Sequence, residues 1–144
     1  MSASSKLSNT VKALCFLAKH HPVPQNSARI STDTGINASK LRRHLSALAK
    51  QGILKTIQGS SGGFVLEKEP SELHLQEIYC ALEDRKAFHM DVSTNPDNTV
   101  AETTIVNDYF LDLFSEIQVE IEDKMKKIKL SHIINHISDT KELK

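Results

Sequence analysis

The chain has 144 residues, 39% of them hydrophobic and 25% charged, with five Phe, two Tyr and no Trp. That fits one domain, or a small domain with an appendage, with enough apolar content for a packed core. Nothing approaches the roughly 18 apolar residues of a membrane span, and Met1 to Ser5 has no apolar signal core. The expected location is therefore cytoplasmic, with no membrane partner. Two cysteines, Cys15 and Cys80, exclude a disulfide framework or a zinc finger.

The formal net charge of +0 conceals a split. Through Lys68, ten Lys/Arg face two acids, a net of +8; from Glu69 onward, eight face sixteen, a net of −8. One end is suited to a polyanion and the other to a different task.

In chain order, Val11, Leu14, Cys15 and Ala18 recur at helical spacing over about Ser8 to His20, with Ser8 or Asn9 as cap. Pro22 and Pro24 end that helix. A short polar helix over Ser27 to Thr34 anchors on Ile30 and stops at Gly35. A third helix starts at Asn37, a good N-cap, and runs to about Gln51 before Gly52. At 100° per residue, Leu41, Leu45 and Leu48 form one stripe. Ser39, Arg43, Ser46, Ala47 and Lys50 fall opposite, with Lys40 toward the outer face and Arg42 on a flank.

Two strands, Ile53 to Gln58 and Phe64 to Glu67, flank a glycine-rich hairpin, Gly59 to Gly63. A helix over about Leu75 to Glu83 follows, then a linker over 84–100 with turn chemistry at Asn95 to Asn98. The longest pattern spans Ala101 to Lys129. Val106, Phe110, Leu113, Ile117, Ile121, Met125 and Ile128 recur every three or four residues, and Ile105, Tyr109, Leu111, Phe114 and Val119 widen the apolar surface. A helix of that length, roughly 40 Å, has too much apolar surface for one small domain and is expected to pack on a second copy. Ser131 is a candidate cap for a last short helix, and 138–144 reads as frayed.

The expected fold is mainly α with a small two-stranded antiparallel wing: a winged helix-turn-helix domain over 1–83, the linker 84–100, and a dimerisation region over 101–144. The major groove of B-form DNA admits one α-helix, and here the second helix of the pair would enter it. Asn37, Ala38 and Ser39 sit at the helix's positive end, and Ser39 and Lys40 can reach base edges or backbone. Arg43 can pair with guanine, while Arg42 and Lys50 suit phosphates. Ser60 and Ser61 at the wing tip can donate hydrogen bonds in the minor groove or to the backbone. The competing expectation is a winged-helix adaptor that binds protein rather than DNA. No nucleophile, base and orienting group come together in the sequence, so an enzyme is not expected.

These residues resemble the Rrf2 (Rrf-two) family of bacterial transcription regulators, which includes the iron–sulfur cluster regulator, the nitric-oxide-sensing repressor and the cysteine-metabolism repressor. The resemblance rests on Leu41, Leu45, Leu48, Gly52, Ile53 and Leu54, on the run Gly59 to Leu66, and on Pro70, Leu73, Leu75, Ile78 and Ala81 to Glu83. The opening Val11 to Ala18 also resembles the family's first helix. The likeness covers about Lys6 to Glu83 and extends more loosely to Ile137. It implies a homodimer whose long helices cross and whose two winged domains bind a palindromic operator on double-stranded DNA; repression is the expected effect, with activation the alternative. It makes Asn37 to Gln51 the recognition helix.

Two positions depart from the family. Many members have arginine where this chain has Gln58. Cluster-binding members carry three cysteines where Arg85 to Val100 has none, with Asn98 near an expected ligand. A cluster needs several thiolates, so no cofactor is expected. Some cluster-free relatives sense oxidants through thiols, which makes Cys15 and Cys80 candidate sensors, although Cys15 shares a stripe with Val11, Leu14 and Ala18 and reads first as a small core residue, and Cys80 reads similarly. Lys12 and Lys19 lie within a turn of Cys15 and could lower its pKa. His132 and His136, four apart, lack a third ligand at matching spacing and read as surface residues. A small-molecule effector site is conceivable among Tyr79, Phe88, Tyr109 and Phe110.

Overall fold

The computed structural model describes residues 3–82 and 101–142, with side chains from residue 5. The expected linker 84–100, with Phe88 and Asn98, lies outside the described residues. The first helix, α1 (Ala3–His20), begins earlier than its polar start suggests. Leu7 packs on the core, and the buried Thr10 hydroxyl donates to the Lys6 carbonyl at 2.8 Å. Packing thus carries the helix past Ser8 and Asn9, which are interior positions rather than caps. At the other end, His20 Nδ1 lies 2.9 Å from the Phe16 carbonyl.

Helix α2 (Ser27–Thr34) is capped by Asn26, whose side chain accepts from the Arg29 N–H, and closes at Gly35 in the left-handed conformation. Helix α3 (Ala38–Lys50) buries Leu41, Leu45 and Leu48 as one stripe. The wing pairs β1 (Leu54–Ile57) with β2 (Gly63–Leu66) antiparallel, Leu54 opposite Leu66 and Ile57 opposite Gly63. Gln25 adds a one-residue third partner. Its N–H donates to the Phe64 carbonyl at 3.1 Å, and the Phe64 N–H donates back at 2.9 Å.

Beyond the wing come α4 (Leu75–Leu82), α5 (Ala101–Lys126) and α6 (Leu130–Glu142). The core joins Leu14 and Leu17 of α1, Ile30 of α2, the α3 leucines, Leu66, Leu73 and Ile78. It also takes in Leu130 at the base of α6. Backbone pairing fixes that corner. The Leu75 N–H donates to the Ile128 carbonyl at 2.9 Å, and the Leu130 N–H to the Leu73 carbonyl at 2.8 Å.

These bonds draw residues 127–129 out of the helix, so α5 stops at Lys126 and Ile128 lies in the corner rather than on the long helix. Ser131 does not cap α6. It lies within the first turn and donates its N–H to the Pro70 carbonyl at 3.0 Å. The Lys129 N–H is taken instead by His132 Nδ1 at 3.2 Å. Residues 138–142, expected to fray, continue the helix.

Candidate nucleic-acid interface

Because α3 buries its leucine stripe, geometry turns its polar residues outward. Ser39, Arg42, Arg43 and Lys50 are exposed and share one shallow depression with Ser46 and Ala47. Its volume is about 570 Å³. Four of the residues expected to contact DNA are thus on one surface. Lys40 is exposed on the other side of Arg43, beside a smaller depression shared with Lys6, His44, Ala47 and Leu82. Arg43 therefore forms the ridge between two basic hollows. Among the described residues neither Arg42 nor Arg43 has an ion-pair partner, so both guanidinium groups remain available to an anion.

Asn37 has a prior task. Its side-chain oxygen accepts from the Ser39 N–H at 2.9 Å and the Lys40 N–H at 3.2 Å. That oxygen builds the first turn of α3, and the residue is exposed. Ser60 and Ser61 are exposed at the wing tip. The wing's path depends on Gly63, whose φ is +152° and whose missing Cβ would lie 2.5 Å from the Gln25 carbonyl carbon and oxygen. Lys6 was not singled out from the sequence. It lies more than thirty positions upstream of Lys40, and only the packing of α1 against α3 brings it beside the basic face.

Helix α5 presents the second expected surface. Val106 is 53% exposed and Phe110 41%. Leu113, Ile117 and Ile121 are half-buried, and Met125 is buried within the chain. The widest exposure comes from the flanking set, Ile105 at 66% and Tyr109 at 68%. Tyr79, by contrast, is buried, so it and Tyr109 do not share one open surface.

The thiols differ. Cys80 is exposed on α4, its sulfur 3.2 Å from Gln76 Nε2. Cys15 is half-buried on α1, and burial pushes its thiol up from the ordinary 9.0. The expectation that Lys12 and Lys19 would lower that pKa is overturned, because desolvation decides the shift. No helix among the described residues is long and apolar enough to cross a membrane. Nor does any group of three or more His, Cys, Asp or Glu among them form a metal-holding cluster.

Comparison with known proteins follows the same lines. The profile of the Rrf2 family, described as iron-dependent transcriptional regulators, matches residues 3–136. The regulator IscR of Photorhabdus laumondii is 34% identical over 87 residues, which cover 58% of this chain. The chain spans 52% of the length of that relative. Among solved structures, T. potens IscR superimposes with a TM-score of 0.71 at 21% identity, covering 97% of this chain and 90% of that one. CymR, the global cysteine regulator of B. subtilis, superimposes at 0.66 with 21% identity, over 91% and 94% of the two chains. The solved structures show the winged-helix fold. The iron-dependence in the family description meets a poor donor set here. Two cysteines, one half-buried on α1 and one exposed on α4, do not fit a cysteine-ligated cluster.

Proposed function

This chain belongs to the Rrf2 family of transcriptional regulators, and from that premise we propose that it is a homodimeric, sequence-specific DNA-binding repressor working without an iron–sulfur cluster. The observation that carries the reading is the outward face of α3, where Ser39, Arg42, Arg43 and Lys50 lie together. In this reading α3 enters the major groove. Arg43 reads a base, while Arg42, Lys40 and Lys50 neutralise phosphates. Asn37 sets the first turn, and Ser60 and Ser61 on the wing touch the flanking backbone.

Two winged domains, 1–83, are joined through the linker 84–100 to a dimerisation region over 101–144. The apolar face of α5 from Ile105 to Ile121 supplies the contact, since an unpartnered apolar helix face of this length is covered by a second copy at least cost. Met125 and Ile128, already held within the chain, complete the corner rather than the seam. Symmetry then makes the operator palindromic, with half-sites about one helical turn, or a multiple of it, apart. The protein works in the cytoplasm, with the acidic half of the chain kept off the DNA. Of the two thiols, Cys80 is the one open to an oxidant, and Cys15 stays protonated.

Recovery of bound genomic DNA followed by motif extraction tests the proposal. The expected result is an inverted repeat. Recovery of sequences without a common motif, together with a stable complex with another protein, would favour the adaptor instead.

A further inference from the structure

Between α1 and α6 lies a groove of about 600 Å³, within the range of small-molecule sites. Phe16 and Ala18 of α1 line one side, and Ile134 and Ile137 of α6 the other. Phe16, Ala18 and Ile134 pack down onto the core, while Ile137 is 40% exposed and faces solvent. Pro70 also lines the groove, and the Ser131 N–H donates to its carbonyl at 3.0 Å. The cleft is therefore bounded by two helices and a turn rather than lying on a flat helix face. It is concave and mostly apolar, as sites for organic ligands are.

The charge around it is one-sided. Among the described residues its charged lining consists of Lys19 and Lys141, one from each helix, with no acid. Both lysines are exposed and have no ion-pair partner among the described residues. Lys19 comes from the basic half of the chain, whereas Lys141 comes from the half after Lys68, where acids outnumber bases two to one. Along α6 the lining runs from Ser131 to Lys141, about 15 Å of helix. That length suits an extended molecule rather than a bare inorganic ion.

We propose that the groove between α1 and α6 is a binding site for a small amphipathic carboxylate, its apolar body on Phe16, Ala18, Ile134 and Ile137 and its carboxylate held by Lys19 and Lys141. Apolar burial supplies most of the affinity, and the charge-assisted contacts select the acid over its uncharged counterpart. Cys15 lines the same groove and serves as a reporter, since an occupant covers its sulfur. The site belongs to the free protein and does not depend on DNA binding, so either reading can fail without the other.

The test is calorimetric titration of the full chain with octanoate, with 1-octanol as the uncharged control. Alkylation of the Cys80→Ser variant by iodoacetamide, with and without octanoate, is the second readout. The expected result is saturable octanoate binding with one site per chain and about tenfold weaker binding of octanol. Octanoate should slow alkylation of Cys15. The Lys19→Gln/Lys141→Gln double variant should lose the preference for acid over alcohol while its urea midpoint is unchanged. Ile137→Glu, which puts an acid at an exposed edge of the groove, should weaken octanoate binding while leaving octanol less affected. The proposal is overturned by absence of saturable octanoate binding, by equal affinity for acid and alcohol, or by unchanged Cys15 alkylation. It is also overturned if the lysine variant converts a dimer to a monomer and octanoate does not bind, because the groove is then the seat of a second copy.

Discussion

Replacing Asn37 separates what holds α3 together from what the proposed DNA contact requires. The side-chain oxygen satisfies two N–H groups, Ser39 at 2.9 Å and Lys40 at 3.2 Å, that have no partner within the helix. Asn37→Ala removes both bonds. Caps of this kind contribute about 0.5–2 kcal/mol, and because Asn37 is exposed, water takes over part of the loss. We expect about 1 kcal/mol, which is a fall in Tm of roughly 3–5 °C for a chain of this size, with an unchanged urea m-value.

Asn37→Asp keeps the cap and adds favourable charge at the helix's positive end, so its stability should match or exceed that of the native chain. In the proposed complex its carboxylate would face the phosphates beside this turn, so affinity for the operator should fall about tenfold or more. Urea unfolding followed by circular dichroism and fluorescence anisotropy on an operator duplex give the two numbers. An unchanged midpoint for Asn37→Ala refutes the cap. An Asn37→Asp variant that recovers both stability and full affinity refutes the placement of this turn against DNA.

Arg43→Ala should cost about 1–3 kcal/mol on the specific operator and flatten base preference, read by anisotropy against single-base variants; unchanged affinity removes Arg43 from the interface. Gly63→Ala should destabilise the fold by at least about 2 kcal/mol, because its Cβ would meet the Gln25 backbone at 2.5 Å; a urea midpoint equal to that of the native chain contradicts this close approach. Burial holds the Cys15 thiol above 9.0, so the folded state favours the protonated form. That stabilisation is complete below pH 9.0 and lost as pH rises through the folded value. Alkaline unfolding should therefore be steeper in the native chain than in Cys15→Ala, and equal slopes would refute it. The purified protein, reconstituted anaerobically with iron and sulfide, should show no iron–sulfur charge-transfer band, and a brown protein would contradict the donor count.

The local signals were legible wherever one turn of chain decides the structure. Helix α2 occupies the span its pattern indicated, Ser27 to Thr34, because Ile30 and Gly35 mark its buried face and its end. The outward set on α3 follows from the leucine stripe alone, and Asn37 was readable as a cap from its type and position. The rest was hidden because it depends on residues far apart in sequence. The Gln25 pairing with Phe64 has no pattern in a one-residue strand. The early start of α1 comes from Leu7 meeting the core, which its polar neighbours obscure. The end of α5 at Lys126 is set by backbone bonds to residues 73–75, so the apolar rhythm running on through Ile128 overestimated the helix. Lys6 joins the basic face only through tertiary packing.

The most direct measurement is an anisotropy titration of an operator duplex across salt concentrations, with the stoichiometry determined in the same experiment. Lys40, Arg42, Arg43 and Lys50 offer up to four phosphate or base contacts per subunit. The account predicts two chains per duplex and a log–log salt slope of about −4 to −7. It also predicts affinity for a scrambled duplex lower by about a thousandfold or more. No saturable binding, or equal binding of operator and scrambled DNA by a single chain, would contradict it.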